Sequence, residues 1–194
     1  MVPPQTVTLQ SQPPLVSERI LQIAAARGCA PPDAAGLAEA RALAERLMGH
    51  AVAPIDTYVN VREIQPAAVL IFREAGVVTG VISALFLGAL ALPDLLEGRF
   101  DGITPDLALL TTEGGSPALL YSWGIAAQTK LAATSILGVA ADVPAQLYPT
   151  ITAFTRAVTA AGRRTATGRY GYRPMRPDDD EWLIRTPATA ELAA

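Results

Sequence analysis

Between Ala75 and Pro93 the chain reads AGVVTGVISALFLGALALP, nineteen residues without a charge. A run of that length either spans a bilayer or lies buried between other elements of a folded domain. Three features favour burial. Val77–Gly88 is rich in β-branched residues, glycine interrupts it at Gly76, Gly80 and Gly88, and a second apolar run, AVLIF, precedes it across Arg73-Glu74-Ala75-Gly76. Two β-type runs joined by a short link ending in glycine are the pattern of a hairpin. The expectation is therefore a buried strand leading into a short helix, LPDLLEGRFDG, rather than a membrane span.

Composition agrees. Of 194 residues 51% are apolar and 17% charged, enough for a sizeable core. The net charge of −3 argues against a nucleic-acid protein as a whole. One cysteine, Cys29, rules out an intramolecular disulfide and fits a reducing, cytoplasmic setting. The opening MVPPQTVTLQSQPP lacks the basic and apolar regions of a signal peptide, and residues 1–14 read as a disordered lead.

Helix signals follow. Ser17 caps SERILQIAAARG, and Pro32-Asp33 opens a second helix with Leu37, Ala40, Ala44 and Leu47 on one face. These predict an antiparallel helical pair, an extension over residues 15–53. IDTYVNVREI alternates as a strand does, and ITPDLALLTTEGGSPALLYSWGIA holds two strand-like runs. TKLAATSILGVAAD reads as helix, YPTITAFTRAV as strand, TAAGRRTATGRY as a short helix, and GYRPM and EWLIRTP as closing strands. The predicted fold class is α+β: a mixed, mostly antiparallel central sheet flanked by helices, over residues 54–189.

Chemistry-bearing motifs are sparse. One histidine and one cysteine, far apart, give no metal site, and His50 reads as a surface residue after a helix end. Asp178-Asp179-Asp180-Glu181 reads as a solvated acidic turn. No GxSxG, Walker A or GxGxxG motif is present. What remains is an order of elements. The strand SPALLYSWGIA enters AAQTK, which opens a helix whose first amides suit an anion.

That order, with TRAVTAAGRRTATGRYGYRPM as its closing helix and Gly171-Tyr172-Arg173-Pro174 after it, resembles the GNAT acyl-CoA N-acyltransferase superfamily. The hairpin AVLIFREAGVVTGVISALFLG is similar to that family's central antiparallel strands. The resemblance implies acetyl-CoA or another acyl-CoA as cofactor, no metal, and a small-molecule or peptide amine as acceptor. It places the site in the splay between strands 118–126 and 149–158. The cofactor would be held by Ile125, Ala127, Gln128, Thr129, Lys130 and Ala133, with Lys130 on phosphate and the amide near Ile125 on the thioester carbonyl. Tyr121 and Tyr170 are the candidate general acids. Leu131 stands where the family's loop has glycine, and Thr167 where many members have a tyrosine. The alternative is therefore a catalytically inactive GNAT-like protein that binds a partner or forms a homodimer.

Overall fold

The computed structural model describes residues 7–49, 51–177 and 179–187. Residues 1–6 of the lead, His50, Asp178 and the domain end at residue 189 lie outside the described residues. The chain runs α1 (Ser17–Ala26), β1 (Cys29–Ala30), α2 (Ala34–Met48), α3 (Ile55–Ile64), β2 (Val69–Glu74) and β3 (Val77–Leu87). It continues through α4 (Leu92–Leu96), β4 (Leu119–Ala127), α5 (Lys130–Leu147), β5 (Thr152–Arg156), α6 (Ala160–Tyr170), β6 (Arg173–Arg176) and β7 (Asp179–Arg185). This is an α+β fold around one mixed seven-stranded sheet of order β1-β2-β3-β4-β5-β7-β6.

The uncharged run is the sheet's centre. β3 pairs antiparallel with β2 along Val77–Ser83 and with β4 along Gly80–Leu87, which takes up most of its backbone polar groups. Its side chains alternate between two cores: Val81, Leu85 and Leu87 enter one, Ile82 and Phe86 the other. Burial on both faces is why the run carries no charge, since each face must meet an apolar layer. Among the described residues no helix is long and apolar enough to cross a membrane.

One face is covered by α2, α3 and α4 through Leu37, Leu43, Tyr58, Val61 and Leu95. The other is covered by α1, α5 and α6 through Ile20, Ala24, Ile136, Val139 and Ala166. The two N-terminal helices therefore do not form the expected antiparallel pair; they lie on opposite faces. Between them Cys29 and Ala30 pair with Phe72 and Ile71 as an edge strand, so residues 15–53 supply both layers and the sheet edge. Residues 7–14, expected to be disordered, are seated against the domain. Gln12 is buried and donates from Nε2 to Thr150 Oγ1 at 2.8 Å.

Two further expectations change. IDTYVNVREI is helix α3 rather than a strand. Its two-residue alternation competes with a three-residue spacing, Tyr58 to Val61, that buries both on one side and leaves Val59 exposed. Asp56 in its first turn and Arg62 in its last suit the helix dipole. The run before Glu113 is not a strand either. Asp106 Oδ1 accepts from Ala108 N at 2.9 Å and winds Leu107–Leu109 into a 3-10 turn, which leaves one bridge, Leu87 to Leu110.

Candidate functional site

β4 and β5 are the one parallel pair among the described strands, and they run together for only four residues. Leu119 to Ser122 face Thr152 to Thr155, and beyond that β4 continues to Ala127 paired with β3 only. At the end of the shared ladder Thr155 Oγ1 donates to the Ser122 carbonyl at 3.1 Å. β5 ends one residue later, held along its other edge by β7 from Ala153 to Arg156, and its neighbour Ala157 donates to Glu181 O at 2.7 Å. The strands diverge, and a cavity of about 1200 Å³ fills the wedge between them, with walls from both faces of the sheet.

The backbone bordering this wedge is specific. Gln128 N donates to Thr79 O at 2.8 Å, which sets the antiparallel alternation along β3 and β4. Gly124 and Ala126 then bond towards β3, while Ile125 and Ala127 turn their N–H and C=O groups towards the side that β5 has left. A register shift opposite Ser83 and Ala84 inserts Trp123 as a bulge residue where the divergence begins. Ile125, Ala127 and Ala133 all line the cavity.

Gln128, Thr129 and Lys130 do not line it. The Gln128 side chain accepts from Arg46 Nη2 at 3.1 Å. Thr129 caps α5, its Oγ1 accepting from Ala132 N at 3.0 Å and donating to Glu74 Oε2 at 2.5 Å. Glu74 Oε2 also accepts from Thr79 Oγ1 at 2.7 Å, and the two hydroxyls, Thr129 first, hold its carboxyl below the usual range. A carboxylate thus sits at the start of α5. Among the described residues the amides of Lys130 and Leu131 take no acceptor. Lys130 has no ion-pair partner there, and Leu131 is 57% exposed on the first turn.

The two candidate acids line the cavity from opposite faces. Tyr121 packs between Phe100 and Trp182, ring centroids 4.9 and 6.0 Å away, and burial pushes its hydroxyl up to about 12. Tyr170 donates to the Leu137 carbonyl of α5 at 2.7 Å, and burial raises its pKa as well. The cavity also holds a serine–tyrosine hydroxyl pair. Ser122 Oγ and Tyr172 Oη lie 3.2 Å apart where the shared ladder ends. The only sequence signal for it is Tyr172 in the Gly171-Tyr172 dipeptide. The nearness of Tyr58 to Trp123, 4.6 Å between centroids, was hidden because Tyr58 was assigned to a strand. The place of Glu74, a hairpin-link residue in sequence, has no local signal at all.

The charged groups around the cavity are mostly matched. Arg156 pairs with Glu181 at 2.8 Å, and Arg99 with Asp94 at 2.9 Å. Asp101 accepts from Thr104 Oγ1 at 2.5 Å and from Ile103 N at 2.7 Å, and these bonds, the threonine first, lower its pKa. No group of three or more His, Cys, Asp or Glu placed to hold a metal occurs among the described residues. No model of a known protein family matches the chain, and no curated protein matches it either.

Proposed function

We propose that the protein is an acyl-CoA-dependent N-acyltransferase of GNAT-like design that passes an acyl group directly to an amine. The observation that carries this reading is the wedge: two parallel strands that separate beside a large cavity, one of them presenting unpaired amides at Ile125 and Ala127. An extended chain with amide groups, such as the arm of acyl-CoA, lies along such an edge as an added strand does. At the far end the amides of Lys130 and Leu131, with the Lys130 ammonium, are the groups for the cofactor's phosphates. Bound acyl-CoA supplies an acyl thioester, and the acceptor ammonium gives up two protons, one to the leaving thiolate and one to solvent.

The chain's residues divide the remaining work. The Ile125 N–H, fixed within a strand, polarises a carbonyl placed in the wedge. Tyr121, protonated throughout the neutral range, relays a proton to the leaving thiolate and takes one back from the acceptor ammonium, whereas the Tyr170 hydroxyl is already engaged with Leu137 O. Tyr170 is then a positioning residue that ties α6 to α5.

A second reading has its own observation. The Glu74 carboxylate at the start of α5 opposes a phosphate there, and an exposed leucine, Leu131, stands on the same turn, which suits a catalytically inactive binding or dimerisation protein. Thermal shift with CoA and acetyl-CoA separates the two. Stabilisation at millimolar ligand, weakened by Lys130→Ala and strengthened by Glu74→Gln, supports the transferase. No shift at millimolar ligand rejects it. Tyr121→Phe then lowers turnover about a hundredfold or more, while Tyr170→Phe changes it little.

A further inference from the structure

The two halves of the cavity have different chemistry. On the α5 and α6 side its lining is mostly small and aliphatic, for instance Ala133, Ile136 and Ala140. On the opposite side five rings meet: Tyr58, Phe100, Tyr121, Trp123 and Trp182. Both tryptophans and five of the chain's eleven aromatic residues are gathered at this one end, where the core on the α2 face also forms the cavity wall. The rings are held in place. Tyr58 lies on Trp123 with 4.6 Å between centroids, and Tyr121 stands between Phe100 and Trp182.

A loop carries charge to the same place. Trp123 Nε1 donates to the Gly102 carbonyl, which fastens the loop to the bulge in β4. A Cβ on Gly102 would lie 3.1 Å from Tyr121 Oη, so the loop rests directly on that ring. Asp101 is the neighbouring residue, and both its oxygens take uncharged donors, Ile103 N and Thr104 Oγ1. Among the described residues no cation lies within ion-pair distance of it. The lining arginines differ. Arg99 and Arg156 are paired with carboxylates, Arg41 is 3.4 Å from Glu45, and Arg185 lies over the Tyr172 ring in the other half. The unmatched charge at the aromatic end is therefore negative.

We propose that this end is the acceptor site and that the acceptor is an arylalkylamine, its ring among the five aromatics and its ammonium drawn by Asp101. Flat rings gain from offset and edge contacts with such walls, and a cation gains from ring faces as well as from the carboxylate. The inference rests on the acyltransferase reading for the amine as nucleophile, but the binding it asserts does not need acyl-CoA.

The test is tryptophan fluorescence and calorimetry on the full chain with phenethylamine, butylamine and 2-phenylethanol, without and with acetyl-CoA. Phenethylamine is expected to bind about tenfold tighter than either comparison compound, with a change in tryptophan emission. Asp101→Asn should weaken phenethylamine and leave 2-phenylethanol unchanged. Ile103→Arg, at a 43% exposed lining position, should weaken phenethylamine about tenfold. Equal binding of butylamine, or unchanged affinity in both variants, overturns the proposal. Arylalkylamine binding without any acyl-CoA binding upholds the aromatic site and removes the transferase reading. Acyl-CoA binding without aromatic preference does the reverse.

Discussion

Gln65 shows how one polar side chain can hold a fold's centre. It is 2% exposed, donates from Nε2 to the carbonyls of Phe86 and Thr111 at 2.6 and 2.8 Å, and accepts from Phe86 N at 3.1 Å. Those three backbone groups belong to the end of β3 and the segment crossing it, and the Phe86 carbonyl also accepts from Thr111 N at 2.9 Å. Gln65→Ala strands the other two, Phe86 N and Thr111 O, without solvent, and the expected loss is about 2–4 kcal/mol by urea denaturation, since each buried orphan costs about 1–3 kcal/mol. Cys29 gives a second check at this scale. Burial pushes its thiol to about 11, so a thiol reagent at about pH 8 should leave the native chain unlabelled and react promptly once denaturant is added. Rapid labelling of native protein would show that β1 frays from the sheet edge.

At the scale of elements, short side chains decide where helices begin. Thr129 and Thr159 cap α5 and α6 directly after β4 and β5, accepting from Ala132 N and Gly162 N, both at 3.0 Å. Thr129→Ala should cost about 1 kcal/mol, with Thr129→Ser recovering most of it, measured by thermal unfolding. These elements were legible because their cues are local: a capping hydroxyl, an apolar period, a glycine such as Gly171 at φ +68 after α6. The hairpin of β2 and β3 was legible for the same reason. Helix α3 was not, because Ile55, Val59 and Val61 carry β-type preferences that burial of Tyr58 and Val61 against the sheet overrides. The wedge was legible only as an ordering of elements. Its depth depends on where β5, held on its other edge by β7, stops following β4, and that β5–β7 pairing joins segments about thirty residues apart that no local pattern records. The pairing of Thr129 with Glu74 is of the same kind, and so the carboxylate at the start of α5 escaped the sequence.

For the molecule as a whole, acid is the informative variable. Glu74 and Asp101 both have carboxyl groups lowered by hydroxyl or amide donors. A folded-state pKa below the unfolded one contributes stability above the unfolded value near about 4, and that contribution is lost as pH falls through the folded value. Melting temperature should therefore drop as pH falls below about 4, and the double variant Glu74→Gln, Asp101→Asn should show a shallower decline. An unaltered decline would mean that other carboxylates govern it.

The parting of β4 from β5 also has a kinetic signature. Within a single strand, alternate amides should exchange hydrogen with solvent at very different speeds. Gly124 and Ala126, bonded across to β3, should be slow, and Ile125 and Ala127 fast. That even-odd pattern should collapse to uniform protection when a ligand is laid along the open edge. The strand would then report occupancy of the wedge residue by residue, whatever that ligand proves to be.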